Sequence, residues 1–130
     1  MIKQYFVALL TFLIIDGAWL MLIAKNFYAK HLGYLMAKNP NLAAAGIFYL
    51  IYIFTMVVLI ISPALQKGSL ITAILTGALF GLCAYATYDL TNLATIKDWP
   101  LLVTIVDLIW GTFVSGAVAG ISYFILTKWL

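Results

Sequence analysis

Residues 5–24 read YFVALLTFLIIDGAWLMLIA, a run broken by a single charge at Asp16. About 20 apolar residues in helical form cross the hydrocarbon layer of a bilayer. Three further runs of the same kind follow, at about residues 42–61, 69–88 and 101–127. In lipid only helices and closed barrels satisfy their backbone polar groups, and none of the runs shows the period-two alternation of a barrel strand. The expected fold class is therefore all-α: a polytopic membrane protein with one domain over residues 1–130, built as a four-transmembrane-helix bundle. The helices are placed at about 5–24, 42–61, 69–88 and 101–127. The one substantial connection is Lys25–Asn41, in which Tyr28, His31, Leu32 and Leu35 share a helical face. A short interfacial helix at about 26–37, between the first two spans, is predicted from that spacing, with His31 in a structural or interfacial role.

The composition of the whole chain agrees. Its 130 residues are 66% hydrophobic and 8% charged, against about 45–50% and about 25% in soluble domains. So much apolar surface cannot be hidden in a domain of this size, and lipid must be part of the solvent. The net charge of +3 comes from dispersed lysines with no basic face, so nucleic acid is not an expected partner. There is no Arg and no Glu, which removes guanidinium clamps for phosphate or carboxylate. A single Cys and a single His build no zinc, iron–sulfur or bis-histidine haem site in one chain, so neither a metal nor a cofactor is expected. Cys83 reads as a small core residue.

Met1-Ile2-Lys3 resembles the basic start of a secretory signal. The length of the run behind it, its interruption by Asp16 and the lack of a small-x-small site predict a retained helix instead. Pro63 and Gly68 bracket a turn at Ser62–Gly68, Asn41 is a helix cap, and Asp98-Trp99-Pro100 reads as an N-cap followed by proline in the first turn. Trp99 and Trp129 end apolar runs, where indoles favour the headgroup zone. Four spans place both termini on one face of the membrane, here the terminal face, with Lys3, Lys67 and Lys128. The opposite face, the connector face, carries Lys25, Lys30, Lys38 and Lys97. This balance does not decide orientation under the positive-inside rule; the lysines grouped in the first connection favour a cytoplasmic connector face.

Small residues recur at spacings of four: Ala73, Gly77 and Gly81 on the third span, Gly116 and Gly120 on the fourth with Gly111 nearby. Such ridges let helix backbones approach closely in lipid. They serve packing within the bundle or contacts in a homo-oligomer.

The chemistry lies in acids within the spans. A carboxylate at membrane depth is costly and faces the bundle interior or a wet cavity. Asp16 and Asp107 are each followed three residues later by a tryptophan, Trp19 and Trp110, which places acid and indole on one helical face. At about 1.5 Å per residue, Asp16 lies roughly 12 Å and Asp107 about 9 Å below the connector face. Tyr49 and Tyr52 lie about 10 and 15 Å below it. The third span ends there with Tyr85, Tyr88 and Asp89, and Asn92 one turn on. Groups from all four spans thus meet in one half of the bundle. They predict a polar pocket open to the connector face, with Asp16 and Asp107 as floor, Trp19 and Trp110 as walls, Tyr49, Tyr52, Tyr85 and Tyr88 as hydrogen-bond partners, and Asp89 with Asn92 at the mouth. Two poorly solvated carboxylates cannot both ionise cheaply and are expected to share a proton. The same acids also suit a purely structural role as polar glue between helices, worth about 1 kcal/mol per bond.

The segment Tyr88-Asp89-Leu90-Thr91-Asn92-Leu93-Ala94-Thr95, the Trp99-Pro100 that follows it, and the Asp16-x-x-Trp19 and Asp107-x-x-Trp110-Gly111 motifs resemble a family of small bacterial predicted membrane proteins catalogued as a domain of unknown function. Phe27-Tyr28, His31-Leu32-Gly33 and Phe48-Tyr49-Leu50-x-Tyr52 extend the resemblance over nearly the whole chain. It implies a multi-pass protein of the bacterial inner membrane and no particular activity.

Three functions fit. The first is binding or transport of a small solute, cation or lipophilic molecule at the polar cavity, with no enzymatic step. The second is an intramembrane enzyme of lipid metabolism that uses Asp16 or Asp107 as general acid or base, with Tyr88 and Asp89 nearby. The third is an accessory subunit of a membrane complex, docked through the glycine ridges.

Overall fold

The computed structural model describes all 130 residues. Four helices are long and apolar enough to cross a membrane: α1 Ile2–Leu32, α2 Leu42–Lys67, α3 Leu70–Thr95 and α4 Leu101–Lys128. The fold is all-helical, as the apolar runs predict. Each helix overruns its expected bounds because a helix ends at a cap and not where hydropathy falls. The Asn41 side chain accepts from the Ala44 N–H at 3.1 Å and Ser69 from Thr72 N–H at 3.1 Å, which starts α2 and α3. Gly68, at φ 71°, closes α2: its N–H and that of Ser69 return to the Ala64 carbonyl at 2.9 and 3.2 Å. The turn expected at Ser62–Gly68 is therefore confined to its last residues, and Ser62–Lys67 is helical.

The predicted interfacial helix is not separate. Lys25–Leu32 continues α1 without a break, and only the following residues turn, through Leu35 N–H to Leu32 O at 2.8 Å. The continuation passes through a π turn at Leu20–Ala24, where the Lys25 N–H reaches the Leu20 carbonyl five residues back. A second π turn at Val57–Ile61 precedes Pro63 in α2. Proline lacks an N–H and presses on the carbonyl four residues before it, and the widened turn accommodates both defects.

α4 is the central helix, packed against each of the other three. The α3–α4 seam is the closest. A Cβ on Gly77 would stand 2.7 Å from Ala119 Cβ and 2.8 Å from the Ser115 carbonyl, and one on Gly120 would stand 2.8 Å from Ile74 Cγ1. A Cβ on Gly81 would strike the Gly111 carbonyl and Ser115, and one on Gly116 would crowd the Ile74 carbonyl. Ala73, Gly77, Gly81, Gly111, Gly116 and Gly120 are all buried in this seam, so the ridges pack within the chain. Cys83, expected in the core, is exposed on the outer side of α3.

The dry core fills the terminal half of the bundle. Ala8 and Phe12 of α1, Tyr52 to Ala64 of α2, Ala73 of α3 and Val114 to Ala119 of α4 form one apolar cluster. Both termini meet at that end, where Lys3 Nζ donates to the Leu130 carbonyl at 3.0 Å. At the other end no residue of α2 before Tyr52 is buried. The first half of α2 stands away from α3 and α4 there, and space opens between the helices.

Candidate functional site

That space is a cavity of about 540 Å³. Its lining is mostly aromatic and aliphatic: Trp19, Leu20, Tyr28, Leu32 and Met36 from α1 and its connection, Ala45, Phe48 and Tyr49 from α2, Ala84, Tyr85 and Tyr88 from α3, and Trp110 from α4. The charged groups are Asp16, Asp89 and Asp107; no lysine or histidine lines it. Of the ten residues expected at the site, the structure brings eight to this cavity.

Asp16 is 7% exposed and Asp107 6%. Each acid is served by the helix that carries the other. Trp110 Nε1 on α4 donates to Asp16 Oδ1 at 3.3 Å, and Tyr28 on α1 donates to Asp107 Oδ1. Tyr49 Oη on α2 adds a bond to Asp16 Oδ2 at 3.3 Å. The two tryptophans of the Asp-x-x-Trp motifs stack across α1 and α4, with ring centroids 4.4 Å apart and planes 10° from parallel. The motif thus works between helices: its acid faces the cavity, and its indoles form one wall.

Tyr28 was not among the expected site residues, and the π turn explains its arrival. At about 100° per residue, twelve residues of regular helix would leave Tyr28 roughly 120° around the axis from Asp16. One residue absorbed by the widened turn brings the two within about 20°. Nothing in the apolar pattern of residues 20–24 signals that turn. The Phe27-Tyr28 pair within the family resemblance is the one hint the sequence holds.

Asp89 departs most from expectation. Predicted at the mouth, it is wholly buried (0% exposed), and no donor reaches either of its carboxyl oxygens. Its carboxyl group faces that of Asp107. The expected partner of Asp107 was Asp16; the structure gives Asp16 its own donors and makes Asp89 the neighbouring acid. Trp99, in the connection beside it, is 7% exposed, crosses Tyr88 edge to face and donates through Nε1 to Thr104 Oγ1 at 3.0 Å. Thr104 in turn donates to the Asp89 carbonyl at 3.4 Å. The headgroup role expected of Trp99 does not survive this burial; Trp129 does stand exposed at its helix end. Asp98 is not an N-cap: it adopts φ 63°, and Pro100 takes the cap position without a side-chain bond. The turn instead offers the Asp98 carbonyl to Tyr34 Oη at 2.7 Å, which ties the α1–α2 connection to the α3–α4 connection beside the mouth.

Two expected residues lie elsewhere. Tyr52 is in the dry core, hydrogen-bonded to Ser115 on α4. It lies one turn deeper than Tyr49, and Phe12 and Phe80 pack against its ring on the core side. Asn92 is half-buried one turn beyond Tyr88 and contributes nothing to the lining. The three aspartates line one cavity without grouping closely enough to hold a single metal ion.

With this geometry in place, comparison with known proteins supplies the family. The model for predicted membrane proteins described as DUF2177 matches residues 1–124. The chain belongs to that family. The match covers the first three helices, most of α4 and every residue of the cavity wall. No curated protein and no solved structure matches the chain.

Proposed function

We propose that this membrane protein binds or transports a small solute, namely a cation with an apolar body, at the cavity between α1, α2, α3 and α4. The carrying observation is the lining: three carboxyl groups, no basic side chain, and aromatic and aliphatic walls around about 540 Å³. Acids at membrane depth are expensive to maintain, and helix adhesion alone accounts poorly for three of them around one hollow. The stacked Trp19 and Trp110 and the tyrosines present π faces that attract cations, while Leu20, Ala45 and Phe48 accept an apolar body. A bacterial inner membrane is the setting we propose for it.

The test is direct binding to the protein in lipid nanodiscs. Naphthylethylammonium, a fluorescent cation with an apolar body, is titrated against its neutral analogue naphthylethanol. The cation is expected to bind more tightly, and Asp16→Asn and Asp107→Asn to weaken it. Equal binding of both probes, or unchanged binding in both inserted variants, removes the proposal.

A further inference from the structure

Asp89 stands out from every other polar group in the molecule. It lines the cavity, is wholly buried, and has two carboxyl oxygens that receive no hydrogen bond. Asp16 and Asp107 both have donors. A buried acceptor left without a donor is costly, and a neighbouring ionised carboxylate supplies none, being an acceptor only. Two things satisfy such a pair: a proton held between the carboxyls, or a ligand that brings its own N–H groups.

Resting on the function proposed above, we infer that Asp89 and Asp107 form the head-group subsite of the cavity, taking a protonated primary or secondary amine through its N–H donors in exchange for a proton shared by the two carboxyls. The exchange balances: the ammonium group enters with one positive charge, the shared proton leaves to water, and the charge of the site is unchanged. No covalent bond is made or broken apart from that O–H bond. The groups facing the pair are consistent with a single exchangeable proton. Tyr28 of α1 is a donor to Asp107; Asp16 of α1 and Tyr49 of α2 are engaged with each other; Tyr85 and Tyr88 of α3 are phenols, neutral in the physiological range. No Lys or His lies in the wall to carry a competing positive charge. The chemistry also excludes a quaternary ammonium as the preferred ligand. It carries the charge and suits the aromatic wall, but it has no hydrogen to give to Asp89.

The unmodified protein in nanodiscs gives the first test. Naphthylethylammonium is compared with its N,N,N-trimethyl counterpart, and proton release is followed in weak buffer. A charge-assisted hydrogen bond predicts a preference for the primary amine of about tenfold to a hundredfold. About one proton should leave per amine bound, and Asp89→Asn should abolish both the release and the preference. Equal affinity for the two cations, or amine binding with no proton released, overturns the subsite while leaving a cation-binding cavity in place. Failure of both cations to bind overturns the subsite and the function together.

Discussion

Tyr28 on α1 donates its phenolic hydrogen to Asp107 on α4, and this bond closes a reciprocal exchange in which Trp110 on α4 donates to Asp16 on α1. Two antiparallel helices thereby lend each other the donors that make their acids tolerable at membrane depth. The arrangement holds α1 against α4 at the one level where the bundle is otherwise hollow.

Removing that donor is the simplest perturbation. Tyr28→Phe keeps the ring and leaves Asp107 one partner short, at a cost of about 1–3 kcal/mol. Thermal unfolding in detergent should show the loss, and amine affinity should change with it. A variant as stable as the parent, with the same affinity, would show that the bond contributes nothing.

The π turn at Leu20–Ala24 makes a sharper prediction. Deleting Ile23, an exposed residue within it, removes the extra residue and leaves regular helix, with Tyr28 still within about 20° of Asp16. Helix content by circular dichroism and amine binding should both hold. A fall in binding as deep as that of Tyr28→Phe in an inserted deletion variant contradicts the phase argument.

Glycines divide by what surrounds them. A Cβ on Gly111 would collide with the Tyr85 ring, whereas one on Gly46 meets nothing within 4 Å. Gly111→Ala should cost about 1–3 kcal/mol by overpacking and displace Tyr85 from the cavity wall. Gly46→Ala should gain roughly 0.5–1 kcal/mol from helix propensity. Similar unfolding temperatures for the two variants would refute the close α3–α4 seam.

Tyr49 and Tyr52 separate site from core. Tyr49 donates to Asp16 at the cavity, while Tyr52 bonds Ser115 within the apolar cluster. Tyr52→Phe should lower stability by about 1 kcal/mol and leave amine affinity as it was. Tyr49→Phe should do the reverse, with little effect on unfolding and a measurable change in affinity. Exchanged phenotypes would place the cavity one turn deeper than described.

The amino-acid order settles the number of spans, their helical state and the half of the bundle that holds the acids. Those follow from hydropathy, from the rule that backbone in lipid must bond to itself, and from a rise of about 1.5 Å per residue. Depth arithmetic brought Asp16, Asp107, Trp19 and Trp110 to one level for that reason, but depth says nothing about direction around a helix. Tyr52, one turn deeper than Tyr49, is closed over by Phe12 and Phe80 of other helices. Tyr28 has an azimuth that only a π turn creates, and Asp89 is wholly buried although its depth predicts the mouth. Cys83 faces outward because the glycine seam turns the other side of α3 toward α4. These placements depend on helix phase and on contacts between residues far apart in the chain. The pairing of Asp89 with Asp107 is of that kind: eighteen residues and a loop separate the two acids, and the α3–α4 packing sets them against each other.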